Sequence, residues 1–146
     1  MNIVTSAFGN AGQKCSACSL LLVERSVYED ENFRSKLKDA ATSLKTGSVW
    51  NAGNIVGPMI TNKNDKLLQA FNLEPGESWL VPPHFIDHRE YILAPTVKWG
   101  VKPESFSFRT ELFGPLLSVA CIENLEEGIK LVNGLDYGLT SGLSLI

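Results

Sequence analysis

The chain has 146 residues, of which 44% are hydrophobic and 20% are charged, and these proportions are typical of one globular domain of ordinary size. Thirteen Lys and Arg residues against sixteen Asp and Glu residues give a formal net charge of -3. No segment concentrates basic residues, so nucleic acid is not an expected partner. No apolar run reaches the roughly 18 residues of a transmembrane segment, and the first residues lack a secretory signal pattern. We therefore expect a cytoplasmic protein.

The glycine pair in residues 9–12 predicts a tight turn after a short apolar segment. The continuous apolar run of residues 19–24 predicts a buried strand of a parallel sheet. Apolar residues at helical spacing then predict a helix over residues 27–44, with Ser26 and Glu29 as its capping box.

The second half of the chain continues this alternation of helices and strands. A shorter helix is predicted over residues 65–71, and residues 74–76, Glu-Pro-Gly, predict a turn before the apolar residues 79–81. Residues 91–93 and 116–122 are typical of strands. Strands that alternate with helices indicate an α/β architecture.

The last predicted helix follows residue 124. Asn124 with Glu127 three residues later is typical of a helix start, and Gly134 is predicted as its C-terminal cap. The predicted buried stripe of this helix comprises Leu125, Ile129 and Val132. Residues 137–143 are expected to begin a new element. We expect a larger native context, because sheet edges and apolar faces are otherwise left unpaired.

Three cysteines, Cys15, Cys18 and Cys121, are an odd number in a chain too long to depend on disulfides, so we expect reduced thiols. Cys15 and Cys18 form a C-x-x-C pair that is compatible with two buried thiols, a redox pair, or half of a zinc site completed by His84 and His88. A further interpretation makes Cys15 a nucleophile, because a glycine turn lets a substrate carbonyl and backbone N–H groups approach it closely.

Four segments resemble motifs of the aldehyde dehydrogenase superfamily. Residues 12–15, Gly-Gln-Lys-Cys, resemble its G-Q-x-C nucleophile loop, and residues 111–115, Glu-Leu-Phe-Gly-Pro, resemble its E-x-F-G-P cofactor loop. Residues 94–97 and 137–139 resemble its P-T-V strand and its Y-G-L segment, in the same order. The resemblance covers essentially the whole chain.

Residues 8–19 are similar to the delta-1-pyrroline-5-carboxylate dehydrogenases, which oxidise glutamate gamma-semialdehyde to glutamate. Residues 76–81 also resemble the bifunctional bacterial proline-utilisation proteins. One position departs from the pattern, because Leu20 stands where many relatives carry Arg.

The resemblance implies an α/β fold with a mostly parallel sheet flanked by helices. Residues 1–146 would be a partial catalytic domain, with the nucleotide-binding and oligomerisation parts outside the chain. NAD is the implied cofactor, Cys15 the implied nucleophile, and Ser16 an implied contact of the substrate carboxylate. Glu111 would accept hydrogen bonds from an NAD ribose, and Phe113 would pack beside the nicotinamide. No metal site is implied.

The implied partners are a small aldehyde, the remainder of the dehydrogenase and a second copy of the same subunit. The family's general base is a glutamate upstream of the nucleophile loop, and no acidic residue precedes Cys15. We therefore expect the isolated chain to be inactive. Two alternatives to a dehydrogenase fragment are a catalytically silent remnant that packs against a partner and a small zinc-binding module.

Overall fold

The computed structural model of the chain describes residues 2–61, 64–89 and 91–144. The strands are β1 Leu20–Glu24, β2 Ser78–Val81, β3 Phe85–Asp87, β4 Ile92–Leu93, β5 Thr96–Trp99 and β6 Leu116–Ile122. The helices are α1 Asn2–Phe8, α2 Arg25–Tyr28, α3 Glu31–Thr42, α4 Asp65–Gln69, α5 Phe106–Arg109 and α6 Leu125–Asn133, and a 3-10 turn covers Gly9–Gly12. None of the helices in these described ranges is both long and apolar enough to span a bilayer.

The main sheet has four strands in the order β1-β6-β5-β2. Strands β1 and β5 both run parallel to β6, whereas β2 runs antiparallel to β5. A separate two-stranded sheet joins β3 and β4. The predicted α/β class with a mostly parallel sheet is therefore confirmed.

Strand β6 is the centre of the sheet and of the core. Six of its seven residues are buried, and Leu117 and Val119 are fully buried. Its predicted bounds of 116–122 are confirmed. A continuous apolar run suits this strand because helices contact it and both of its edges are paired.

Strand β1 is parallel, as predicted, but it is less buried than its sequence indicates. Leu21 and Leu22 are only half-buried, because β1 lies at the edge of the sheet and pairs there with β6. Leu20 packs against a small apolar cluster that includes Phe108 and Ala120. An aliphatic side chain is therefore accommodated at the position where many relatives carry Arg.

The helix predicted over residues 27–44 is interrupted, and its predicted capping box is wrong. Ser26 lies inside α2 and Glu29 is the C-cap of that helix. Asp30 instead caps α3, because its carboxylate accepts a hydrogen bond of 2.9 Å from the backbone N–H of Asn32. A local cap of this kind separates the two helices.

Helix α6 is capped as predicted, but its predicted buried stripe is wrong. Asn124 accepts a hydrogen bond of 2.9 Å from the backbone N–H of Glu127, and Gly134 is the C-cap. The three residues of the predicted stripe are 40–54% exposed: Leu125, Ile129 and Val132. Gly128 faces the sheet instead, so closely that a Cβ there would lie 3.0 Å from Ile122. Residues 137–144 contain no helix or strand, so the predicted new element is also wrong.

A buried ion pair fixes the antiparallel side of the sheet. Lys98 on β5 and Glu77, just before β2, are 3.0 Å apart, and neither side chain is more than 1% exposed. The Lys98 ammonium also donates to the carbonyl of Asn72 at 2.9 Å and lies 5.4 Å from the centre of the Trp79 ring. The Glu77 carboxylate accepts a further bond of 2.8 Å from the backbone N–H of Glu74, which belongs to the predicted turn.

We predict that Glu77→Gln lowers the free energy of unfolding by about 3–5 kcal/mol, because it leaves the Lys98 ammonium buried without its counter-charge. Urea denaturation followed by tryptophan fluorescence measures the change. The matched control is Glu123→Gln, which breaks an exposed pair with Arg25 and should cost much less. Equal losses in the two variants would contradict the importance of the buried pair.

Candidate active site

The two sequence motifs lie at the same end of the sheet, where the parallel strands β1 and β6 begin. The loop that contains Cys15 enters β1, and the loop of residues 111–115 enters β6. Because β1 and β6 are adjacent and parallel, the two loops approach the sheet from the same side. The backbone N–H of Ser118 donates to the carbonyl of Ser19 at 2.9 Å, which sets the register just beyond the loops.

The turn before Cys15 has an unusual backbone. Asn10, Ala11 and Gly12 have φ angles of 55°, 54° and 68°, so three consecutive residues adopt left-handed conformations. This conformation is costly for residues other than glycine and is concentrated at functional sites. The tight turn predicted at residues 9–12 is confirmed, and it joins the buried end of α1 to the cysteine loop.

The two loops are in direct backbone contact at two glycines. A Cβ built on Gly12 would overlap the carbonyl of Gly114, with its carbonyl carbon only 2.7 Å away. A Cβ on Gly114 would in turn lie 2.7 Å from the side chain of Leu67 on α4. Only glycine therefore fits at either position without movement. Because Cys15 follows Gly12 by three residues, its Cα can lie at most about 11 Å from the Cα of Gly12. The contact of Gly12 with Gly114 therefore keeps Cys15 near the second loop.

Cys15 and Ser16 occupy the centre of a turn that faces solvent. The backbone N–H of Ala17 donates to the carbonyl of Lys14 at 3.0 Å and closes the turn. The backbone N–H of Cys18 donates to Ser6 at 3.1 Å, which fixes the end of the loop to α1. Both Cys15 and Ser16 are exposed, so the thiol and the hydroxyl are accessible to a ligand.

The loop before β6 presents its two predicted cofactor residues outward. Leu112 is only 2% exposed, whereas Glu111 and Phe113 on either side are exposed. Phe113 has a φ of 51°, which is rare for an aromatic residue. The alternation therefore places a carboxylate and an aromatic ring on the solvent side of a loop whose middle residue is anchored in the core.

Asn64 supports this loop and was not identified from the sequence. Its side-chain amide donates to the carbonyl of Leu112 at 2.7 Å, and its oxygen accepts from the backbone N–H of Leu67 at 3.0 Å. The second bond caps α4, and an Asn before a helix is a recognisable signal. The first bond joins residues far apart in the chain and has no sequence signature.

Tyr137 lies near residues of both loops. Burial raises the pKa of its phenol, a hydrogen bond with Ser19 lowers it, and the negative charge of Glu111 raises it further. The hydroxyl donates to the carbonyl of Phe108 at 3.2 Å. Tyr137 of the Y-G-L segment is therefore near enough to Ser19, just before β1, and to Glu111 for both to affect its pKa.

The three cysteines differ in environment. All are free thiols, and only Cys15 is exposed. Burial raises the pKa of the Cys18 thiol and, as the main cause, that of Cys121. Neither partly buried thiol is therefore favoured as a thiolate at neutral pH.

The described residues do not form the zinc site that the sequence left open. Within residues 2–61, 64–89 and 91–144, no three His, Cys, Asp or Glu side chains form a group that could hold a metal ion. His84 and His88 are both exposed, and the His88 ring stacks on Phe85 with centres 4.5 Å apart.

The sequence profile of the aldehyde dehydrogenase family matches residues 1–144. The chain belongs to this family. It is 34% identical over 146 residues to a 1-pyrroline-5-carboxylate dehydrogenase from Staphylococcus haemolyticus, an alignment that covers 97% of this chain and 27% of the relative. It is 31% identical to a malonate-semialdehyde dehydrogenase from Listeria innocua, with 93% of this chain and 28% of the relative covered. The chain thus spans little more than a quarter of the length of these aldehyde dehydrogenases.

Solved aldehyde dehydrogenase structures confirm the expected fold. Proline utilization A from Corynebacterium freiburgense superposes with a TM-score of 0.82 at 34% identity, over 90% of this chain and 14% of that protein. A Thermus 1-pyrroline-5-carboxylate dehydrogenase with bound NAD gives a TM-score of 0.81 at 28% identity, over 94% and 26%. A methylmalonate-semialdehyde dehydrogenase from Oceanimonas doudoroffii gives 0.83 at 26% identity, over 93% and 29%.

We predict that Gly12→Ala lowers stability by about 2–5 kcal/mol, because the new Cβ meets the Gly114 backbone and the residue keeps a left-handed φ. Thermal unfolding followed by circular dichroism should show a Tm reduced by more than about 5 °C. Gly9→Ala is the matched control, since a Cβ at Gly9 has nothing within 4 Å. Similar Tm values for the two variants would show that the loops do not depend on the glycine contact.

Proposed function

We propose that this chain provides the nucleophile and part of the nucleotide contacts of an NAD-dependent aldehyde dehydrogenase. The observation that carries the proposal is the backbone contact between Gly12 and Gly114. It places an exposed cysteine turn beside a loop that presents Glu111 and Phe113 to solvent. Relatives from Thermus and Bacillus cereus are described as NAD complexes, which supports NAD as the cofactor.

Glu111 and Phe113 are chemically suited to the nicotinamide half of NAD. The two oxygens of the Glu111 carboxylate match two vicinal ribose hydroxyls, which are hydrogen-bond donors. The exposed ring of Phe113 would offer an apolar surface for the ribose and the nicotinamide. When bound, NAD would supply the acceptor for the hydride that leaves the substrate.

Cys15 is the proposed nucleophile. Its thiolate attacks the aldehyde carbon and forms a thiohemiacetal, and loss of the hydride leaves a thioester that water hydrolyses to the carboxylic acid. The backbone N–H of Cys15 is the donor that this loop offers to the developing oxyanion. The family's base that activates water is a glutamate upstream of the nucleophile loop, and no Asp or Glu precedes Cys15 here, so we propose that the remainder of the dehydrogenase supplies this base.

We propose glutamate gamma-semialdehyde as the substrate, in proline catabolism. The 34% identity to a 1-pyrroline-5-carboxylate dehydrogenase supports this choice. The 31% identity to a malonate-semialdehyde dehydrogenase makes malonate semialdehyde the competing candidate. Both substrates carry a carboxylate. The exposed hydroxyl of Ser16, adjacent to Cys15, is the proposed hydrogen-bond donor to it.

The proposed unit of activity is larger than this chain. Residues 1–146 would form part of the catalytic domain, and the remainder of the dehydrogenase polypeptide and a second subunit would complete the enzyme. The limited share of each relative that the chain covers supports this view. Three free thiols suit the reducing cytoplasm, which is the proposed location.

A chimera tests the proposed reaction. When this chain replaces the matching segment of the Staphylococcus haemolyticus enzyme, NADH should form with glutamate gamma-semialdehyde and more slowly with malonate semialdehyde. Cys15→Ser should reduce kcat at least about 10³-fold because the nucleophile is lost. The control Cys121→Ser should retain activity, and the chain alone should give none.

Two results of this assay would contradict the proposal. Substantial NADH formation by the Cys15→Ser chimera would exclude Cys15 as the nucleophile. A chimera that oxidises malonate semialdehyde faster than glutamate gamma-semialdehyde would refute the proposed substrate while leaving the dehydrogenase chemistry intact.

A second prediction separates an active nucleophile from a catalytically silent remnant. In the 146-residue chain, iodoacetamide should alkylate Cys15 faster in the native state than in about 8 M urea, where the chain is unfolded. Cys18 should be alkylated more slowly in the native state than in urea, because burial raises the pKa of its thiol. Each thiol's unfolded rate is its own control for exposure. Mass spectrometry of the peptides gives the three rates. A native Cys15 rate below its unfolded rate would favour the silent remnant.

A further inference from the structure

The side chain of Gln13 connects the cysteine loop to a segment 45 residues further along the chain. Its amide nitrogen donates to the carbonyl of Asn10 at 3.3 Å and to that of Pro58 at 3.4 Å. Its amide oxygen accepts a hydrogen bond of 2.8 Å from the backbone N–H of Ile60. One carboxamide therefore contacts two backbone groups of residues 58–60 as well as its own turn.

Residues 58–60 form a fixed support for these bonds. Met59, between the two contacted residues, is buried, and its backbone N–H donates to the carbonyl of Tyr91 at 2.9 Å. Tyr91 directly precedes β4, and Ile92 and Leu93 of that strand are buried. The contacts of Gln13 are therefore made to a segment that is anchored both in the core and to the small sheet.

The position of Gln13 relative to Cys15 gives these bonds their consequence. Gln13 lies two residues before Cys15, and the bond from Cys18 to Ser6 fixes the chain three residues after it. Between these two points lies only the turn closed by Lys14 and Ala17, which carries the exposed thiol. The direction in which the turn presents the thiol therefore depends on both anchors.

We propose that Gln13 is a positioning residue, which holds the turn that presents Cys15 by bridging it to residues 58–60. A carboxamide suits this role because it donates and accepts hydrogen bonds at the same time. A glutamate at neutral pH would still accept from Ile60 but could not donate to Pro58. The inference rests on the proposed role of Cys15, because positioning is relevant to catalysis only if this thiol reacts.

The test compares three variants of the 146-residue chain by ¹⁵N relaxation, which measures order of the backbone on the picosecond to nanosecond timescale. Gln13→Met is similar in length but loses every hydrogen bond of the carboxamide. Gln13→Glu keeps the acceptor alone. Gln69→Met, at an exposed position of α4, is the matched control.

We expect the order parameters of residues 14–16 to fall below about 0.6 in Gln13→Met, while those of β6 stay near the rigid value of about 0.85. Gln13→Glu should give intermediate values, and Gln69→Met should match the unmodified chain. The native rate of Cys15 alkylation, relative to its unfolded rate, should also fall at least threefold in Gln13→Met.

A turn that stays ordered in Gln13→Met would overturn the proposal, and so would a loss of order that spreads equally to β6, since that indicates general destabilisation. A loosened turn with an unchanged Cys15 rate would also overturn it. If the unmodified chain shows no enhanced Cys15 reactivity, the proposed function fails, and the order parameters alone then decide whether Gln13 holds the turn.

Discussion

The candidate site depends on one steric constraint, the absence of a side chain on Gly12 where it meets the carbonyl of Gly114. Two loops that are distant in sequence enter adjacent parallel strands, so they necessarily approach the same edge of the sheet. They can touch through their backbones only because Gly12 carries no Cβ, whereas Gly114 needs to lack one so that it can pack against Leu67. Because of that contact, the cysteine turn lies beside the exposed residues of the second loop, Glu111 and Phe113.

The elements that sequence reasoning predicted correctly are those that local chemistry decides. Strand β6 is apolar apart from Ser118, and six of its seven residues are buried, while Asn124 caps α6 through its own side chain. The interruption between α2 and α3 at Asp30 was not predicted, because the apolar residues on both sides of it fit one helical period. The side chain of Asp30 instead caps the start of α3. The buried face of α6 was predicted wrongly because a close helix–sheet approach at Gly128, and not the apolar stripe, decides which face turns inward.

The residues of the candidate site were predictable to a different degree from the bonds that hold them. Cys15, Glu111 and Phe113 belong to motifs whose spacing and order resemble the family, and the match over residues 1–144 confirms that relationship. The contacts of Gln13 and Asn64 could not be predicted, because each joins the loops to backbone groups of distant segments. Such bonds depend on the completed fold and leave no local pattern.

A crystal structure of the chimeric dehydrogenase with NAD bound tests most directly whether the two loops form the nicotinamide site. We predict that the Glu111 carboxylate lies within about 3.2 Å of the hydroxyls of the nicotinamide ribose, with the Cys15 thiol facing the nicotinamide ring. A nucleotide bound away from residues 111–115, with Glu111 in contact only with solvent, would contradict the central claim that the glycine contact assembles this site.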